Sequence, residues 1–156
     1  MVNGLAYRLL GRDDELDDLV QTSFMAAFRD LHRLTEPQAF ASWLASIVVR
    51  TTHKLLRRRK MLTRLGLREP ANVELDSLLG SSLPPPMHAE LREIYTVLEA
   101  LPTEARIAIV LHRVDGLSIP EAAERMQLSV STVKRRLRVA EAEIERHKQA
   151  GREQNT

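Results

Sequence analysis

Apolar residues recur at three- and four-residue steps along both ends of this chain, a period that admits amphipathic helices and little else. Leu5, Leu9, Leu16, Leu19, Val20, Phe24, Ala27, Phe28 and Leu31 keep that step, and Phe40, Trp43, Leu44, Ile47, Val48, Thr51 and Leu55 carry it through a further helix. The apolar residue types agree. Aromatics make up 4% of the 156 residues while hydrophobic residues make up 44%, dominated by Ala, Leu, Ile and Val, which suit helix packing better than a sheet sandwich. "GRDD" at Gly11 to Asp14 interrupts the first pair of helices. "HRLTEPQ" at His32 to Gln38 is a second break, because Pro37 disfavours helix at the residue before it.

From Met61 to His88 the period fails. Gly66, Pro70, Gly80, Ser81, Ser82 and the triplet Pro84, Pro85 and Pro86 describe a linker whose last part is predicted to be extended polyproline II. The chain is therefore expected to be all-α, with two small helical domains, residues 1–60 and 89–150, joined by a flexible linker, residues 61–88. Each is near the lower limit for burying a core. In the second, "ELREIYTVLEAL" gives a helix ended by Pro102, and "TEARIAIVLHRVDG" another, with Thr103 as N-cap and Gly116 as its stop. Ser118 and Glu121 are spaced as a capping box, with Pro120 tolerated in the first turn. "QLS" is a tight turn, and Ser129 caps the last helix.

That last helix carries Lys134, Arg135, Arg136 and Arg138 within two turns. At about 100° per residue, Val130, Val133, Leu137, Ala140 and Ile144 share one face, and Ser131, Arg135, Arg138, Val139 and Ala142 face the other way. Lys134 and Arg136 flank the outward face. A short helix, a three-residue turn and a helix with an apolar inner stripe and a cationic outer half form a helix-turn-helix. Acidic residues are missing from Ser129 to Ala140 and return at Glu141, Glu143 and Glu145. Such segregation costs self-repulsion unless a polyanion is met, so DNA is favoured over a merely solvated face. The net charge is only +2 although the pI is 9.3, so basic character acts through clustering.

Other classes find little support. There is no cysteine, hence no disulfide framework or thiolate metal site. His32, His53, His88, His112 and His147 are scattered without metal-ligand or triad spacing, and no glycine-rich phosphate loop exists, so neither an enzyme nor a cofactor is expected. No apolar run approaches the ~18 residues of a membrane span and no signal peptide opens the chain, so a cytoplasmic protein with no membrane insertion is expected.

The order of segments "DDLVQTSFMAAFRDL", "FASWLASIVV", "LLRRRK", a linker and "LPTEARIAIVLHRVDGLSIPEAAERMQLSVSTVKRRL" resembles the bacterial sigma factors of the extracytoplasmic-function group, within the sigma-70 family. The resemblance covers nearly the whole chain apart from the linker and the last residues. It implies a promoter-specificity subunit that binds core RNA polymerase and directs transcription initiation. It implies that Asp17, Asp18, Val20 and Gln21 meet the clamp helices of the beta-prime subunit. It assigns Arg50, Lys54, Arg57, Arg58, Arg59 and Lys60 to the downstream promoter element, and Ser131, Thr132, Lys134, Arg135, Arg136 and Arg138 to the upstream one. An anti-sigma partner is expected.

Five positions depart from the family pattern. Arg50 stands where an Asn that helps hold a flipped base is usual, Lys54 where Asp is frequent, Arg135 where Ser is usual, and Val139 and Glu141 where arginines are usual. The chain also begins partway into the family's first conserved region, about one helix short. The alternative reading is a stand-alone helix-turn-helix regulator that does not engage polymerase. It accounts for Ser118 to Ile144 but not for "DDLVQ" or the Trp43 segment.

Overall fold

The computed structural model describes residues 1–11, 14–67 and 85–153, with side chains described over 93–150 of the last segment. Among them every regular element is helical. Helix α1 spans Val2–Leu10 and α2 Leu16–Asp30. Two 3-10 turns, Leu31–Arg33 and Pro37–Ala39, bridge to α3, Phe40–Arg64. Helix α4 is Pro85–Ala100 and α5 Thr103–Ile109, which runs on into a π-type turn at Val110–Val114. Helices α6, Ile119–Met126, and α7, Val130–Glu153, complete the chain.

The polyproline II expectation is overturned in part. Pro85 and Pro86 open helix α4, where the N–H that proline lacks has no helical acceptor to lose and its fixed φ suits the first turn. The rest of the linker, residues 68–84, lies outside the described residues. Helix α3 continues four residues past Lys60, to Arg64.

Helix α3 organises the molecule. Its 25 residues give a rod about 37 Å long. Leu44, Ala45, Ile47, Val48, Val49, Thr52 and Leu56 are buried along it. Helices α1 and α2 pack on one side, α5 and α6 on the other, while α7 lies across α5 and α6. One continuous apolar core therefore runs through both halves, from Leu5 and Leu9 through Ile47 and Val48 to Ile107, Leu111, Val133 and Leu137. Two buried hydroxyls inside it are satisfied by their own helices: Ser23 donates to the Leu19 carbonyl at 2.8 Å and Thr52 to that of Val48 at 2.8 Å.

The periodic residues are not all core. Phe24 is 50% exposed and Phe28 84%. Helix α2 turns Leu19, Ser23 and Ala27 inward, and Phe24 and Phe28 each sit one residue, about 100°, round from that line. Phe40 is likewise exposed, its ring tilted against Trp43 with centroids 6.0 Å apart. In the second half, Pro102 occupies the N-cap and Thr103 is already helical and buried. Gly116 does close the helix, at φ 71, after the Asp115 and Leu117 amides have bonded back to Val110 and Leu111.

Candidate nucleic-acid and polymerase interfaces

The helix-turn-helix is built as local chemistry dictates. The Ser118 amide donates to Glu121 at 2.8 Å while the Glu121 amide reaches the Ser118 hydroxyl at 3.4 Å, a reciprocal capping box. The Ser118 hydroxyl also donates to the Glu121 carboxylate at 2.5 Å, and this bond, with that of the Ser118 amide, holds the Glu121 carboxyl below its ordinary value. Gln127 makes the turn in the left-handed region, φ 55. Ser129 then caps α7: its hydroxyl accepts from the Thr132 amide at 3.2 Å and contacts the Thr132 and Ser131 hydroxyls at 2.8 and 3.0 Å.

Val133, Leu137 and Ala140 face the core, whereas Val130, in the first turn, is exposed. Ser131, Lys134, Arg135 and Arg138 are exposed, and Thr132 is half-buried by its place in the cap. Among the described residues, none of Lys134, Arg135 and Arg138 is paired with an acid. Arg136 differs. Its Nε donates to Glu104 on α5 at 2.6 Å, and the same carboxylate lies 3.7 Å from His53 on α3. Burial pushes the His53 imidazole down from its ordinary value, with Glu104 opposing and Arg57 assisting. Beyond Arg138 the acids return to use: Glu141 accepts from Arg113 at 2.8 Å.

The basic run on α3 divides by helix geometry. Arg50, Lys54, Arg57 and Arg58 fall within about 100° of one another around the axis; Lys54, Arg57 and Arg58 are exposed and Arg50 half-exposed. Arg59 lies on the far side and donates to Glu15 at 2.7 Å, with 12% of its side chain exposed. Lys60 turns to the Leu101 carbonyl, and burial, with Arg106 and Arg64 nearby, pushes its amine down from its ordinary value. A phosphate backbone passing this helix therefore meets four of the six predicted cations. Arg50 also reaches Gln127 in the helix-turn-helix, at 3.4 Å.

Asp17 and Asp18 sit exposed in the first turn of α2, where carboxylates complement the helix dipole. Gln21 is exposed and Val20 half-buried. The steps from Asp17 to Gln21, Phe24 and Phe28 keep one face, so the acidic end continues into an exposed apolar stripe. Arg106 and Glu104 were missed. An arginine inside the apolar run "ARIAIVL" was the available signal for the first.

The sequence matches the family model for Sigma-70 region 2 over residues 1–61 and that for Sigma-70 region 4 over residues 91–144. The ECF RNA polymerase sigma-E factor of Salmonella typhimurium is 35% identical over 130 residues, covering 79% of this chain and 68% of that protein. The chain belongs to the extracytoplasmic-function group of sigma factors. The ECF RNA polymerase sigma factor SigE of Mycolicibacterium smegmatis is 30% identical over 144 residues, and this sigma chain spans 51% of its length. The fold agrees with two solved structures. One is the sigma factor RpoE of Bartonella quintana in complex with the anti-sigma factor NepR, at TM-score 0.65 and 22% identity, covering 95% of this chain and 89% of that one. The other is CnrH in complex with the cytosolic domain of CnrY, at TM-score 0.63 and 28% identity, covering 96% and 81%. Region 2 thus corresponds to α1 to α3, and region 4 to α5 to α7 with the end of α4.

Proposed function

We propose that this sigma factor binds core RNA polymerase and directs initiation at specific promoters in the cytoplasm. The observation that carries this reading is the pairing of two cationic surfaces, Lys54, Arg57 and Arg58 on region 2 and Lys134, Arg135 and Arg138 on region 4, with a separate acidic helix start at Asp17 and Asp18. Cations track phosphates without reading sequence, so the region 2 stripe holds the downstream element. Arg135 and Arg138 project away from the core and reach base edges in the upstream element, while Lys134 holds a groove wall. Asp17, Asp18, Val20 and Gln21 meet the polymerase clamp helices. Residues 61–88 join the two regions, 1–60 and 89–150. An anti-sigma protein that clasps both regions is the expected partner; the structurally similar RpoE was solved in complex with an anti-sigma factor, NepR. The reaction chemistry belongs to the polymerase.

Run-off transcription with purified core polymerase on a set of promoters selected by this protein tests the reading. Promoter-dependent transcripts are expected, and they are lost with Asp17→Lys and Asp18→Lys together although circular dichroism is unchanged. Arg135→Ala is expected to lower affinity for the selected duplex by about 1–3 kcal/mol relative to a scrambled one, whereas Lys134→Ala weakens both alike. Specific duplex binding without any transcript would favour the stand-alone regulator.

A further inference from the structure

Four cations crowd the first half of α7, and helix geometry gives them different neighbours. Measured from the buried Val133, Arg136 lies about 60° round the axis, Lys134 about 100°, Arg138 about 140° and Arg135 about 160°. Arg136 therefore borders the apolar stripe, where α7 packs against α5. From that edge its Nε donates to Glu104 of α5 at 2.6 Å. Both side chains are largely covered, with 32% of Arg136 and 29% of Glu104 exposed. The other oxygen of the carboxylate lies 3.7 Å from His53 of α3, so Arg136 is its close charged partner.

Lys134, Arg135 and Arg138 are exposed, and among the described residues none of them is paired with an acid. The contrast matters because phosphate binding is driven by counterion release, which counts cations free to neutralise a phosphate. Arg136 and Glu104 together carry no net charge. A phosphate that drew Arg136 away would leave a partly covered carboxylate without its partner, which is costly, and would bring two anions together.

We propose that Glu104 masks Arg136, so that the recognition helix holds phosphate on one flank only, through Lys134, while its other flank is held by α5. Glu104 is a positioning residue: it touches no DNA and acts through Arg136. The proposal rests on the nucleic-acid reading above, and it takes Arg136 out of the upstream-element contacts that the sigma resemblance implies. Removing the carboxylate frees the guanidinium to make one more contact that is blind to sequence.

Binding of the full chain to a scrambled duplex, followed by fluorescence anisotropy at several salt concentrations, counts these contacts. Each one steepens the slope of log affinity against log salt by about 0.9, a further 3- to 4-fold loss of affinity between about 50 and 200 mM. Lys134→Ala sets the scale and is expected to make the slope shallower by that amount. Glu104→Gln, which keeps the size of the side chain and removes its charge, is expected to steepen it by the same amount. Glu104→Gln with Arg136→Gln has the parent's net charge and is expected to match the parent in slope, with affinity within about 2-fold. A pair with only a structural role would lower the melting temperature in Glu104→Gln and leave the slope alone, so an unchanged slope in that folded variant overturns the proposal. So does steepening that persists when Arg136→Gln is also present, because it marks a general field and not a freed arginine. Where Glu104→Gln does not fold, Arg136→Gln decides: a slope as shallow as that of Lys134→Ala shows Arg136 on a phosphate in the parent and overturns the mask, and the parent's slope supports it. A parent chain that binds neither scrambled nor selected duplex refutes the nucleic-acid reading itself.

Discussion

Gly11 shows how a single residue ties local conformation to long-range packing. It ends α1 at φ 81, a left-handed conformation in which a side chain is strained. A Cβ there would also meet the ring of Tyr95, Cε1 at 3.0 Å, a half-buried ring whose phenol burial pushes above its ordinary value. Gly116 has a similar φ, 71, but nothing lies within 4 Å of its would-be Cβ. Gly116→Ala is therefore expected to cost about 1 kcal/mol from backbone strain alone, and Gly11→Ala about 2–3 kcal/mol. Urea unfolding of the two variants checks the ranking. Equal losses would mean that Tyr95 moves aside freely.

The capping box belongs to the scale of the element. Ser118 and Glu121 set where α6 begins, and α6 sets the angle from which α7 departs. Ser118→Ala is expected to destabilise the protein by about 1 kcal/mol, read from thermal melts. Because the Glu121 carboxyl is held below its ordinary value of 4.5, the stabilisation from its charged form is present above that pH and fades as pH falls through the lowered native value. The difference between parent and Glu121→Gln should accordingly shrink in acid; a constant difference would show that the box does not depend on the carboxylate. Helix α2 makes another point at this scale. Its outward face runs as one line from the charged Asp17 to the aromatic Phe24 and Phe28, which suits a partner surface that is basic at one end and apolar at the other.

For the whole molecule, the shared core predicts that the halves stay together when the chain is cut. A protease site inserted within residues 68–84 and cleaved after folding should leave both fragments in one peak on size exclusion at low salt. Two separate peaks would show that the cross-half contacts are too weak to hold. The junction also responds to pH through His53, which faces Glu104 from α5 and Arg57 on its own helix, with Arg136 of α7 on the same Glu104 carboxylate. Its native value lies below the ordinary 6.5, so the folded form binds fewer protons than the unfolded chain. The stability tied to neutral His53 is present above pH 6.5 and is lost as pH falls through the lowered native value. Thermal melts at pH 7.5 and 5.5 should show a larger drop for the parent than for His53→Gln, and identical drops would exclude the histidine as the source.

The helices, their caps and the cationic outer face of α7 were legible in the chain because each follows from spacing over a few residues: a 3.6-residue period, Ser118 with Glu121, Ser129 before Val130. Membership of the sigma group was legible too, since its segments keep their order. Burial was not. Phe24 and Phe28 have the same spacing as true core residues, and only the positions of α1 and α3 decide that Leu19, Ser23 and Ala27 turn inward. The six cations of α3 form one run in sequence, yet Glu15 and the Leu101 carbonyl draw Arg59 and Lys60 away from the outward stripe. Arg106 reads as a stray charge in an apolar helix until the end of α1, some 97 residues earlier, is brought against it. Periodicity reports which side chains share a face of one helix. Which face is covered, and by what, depends on contacts between elements distant in the chain, and tertiary packing alone settles those.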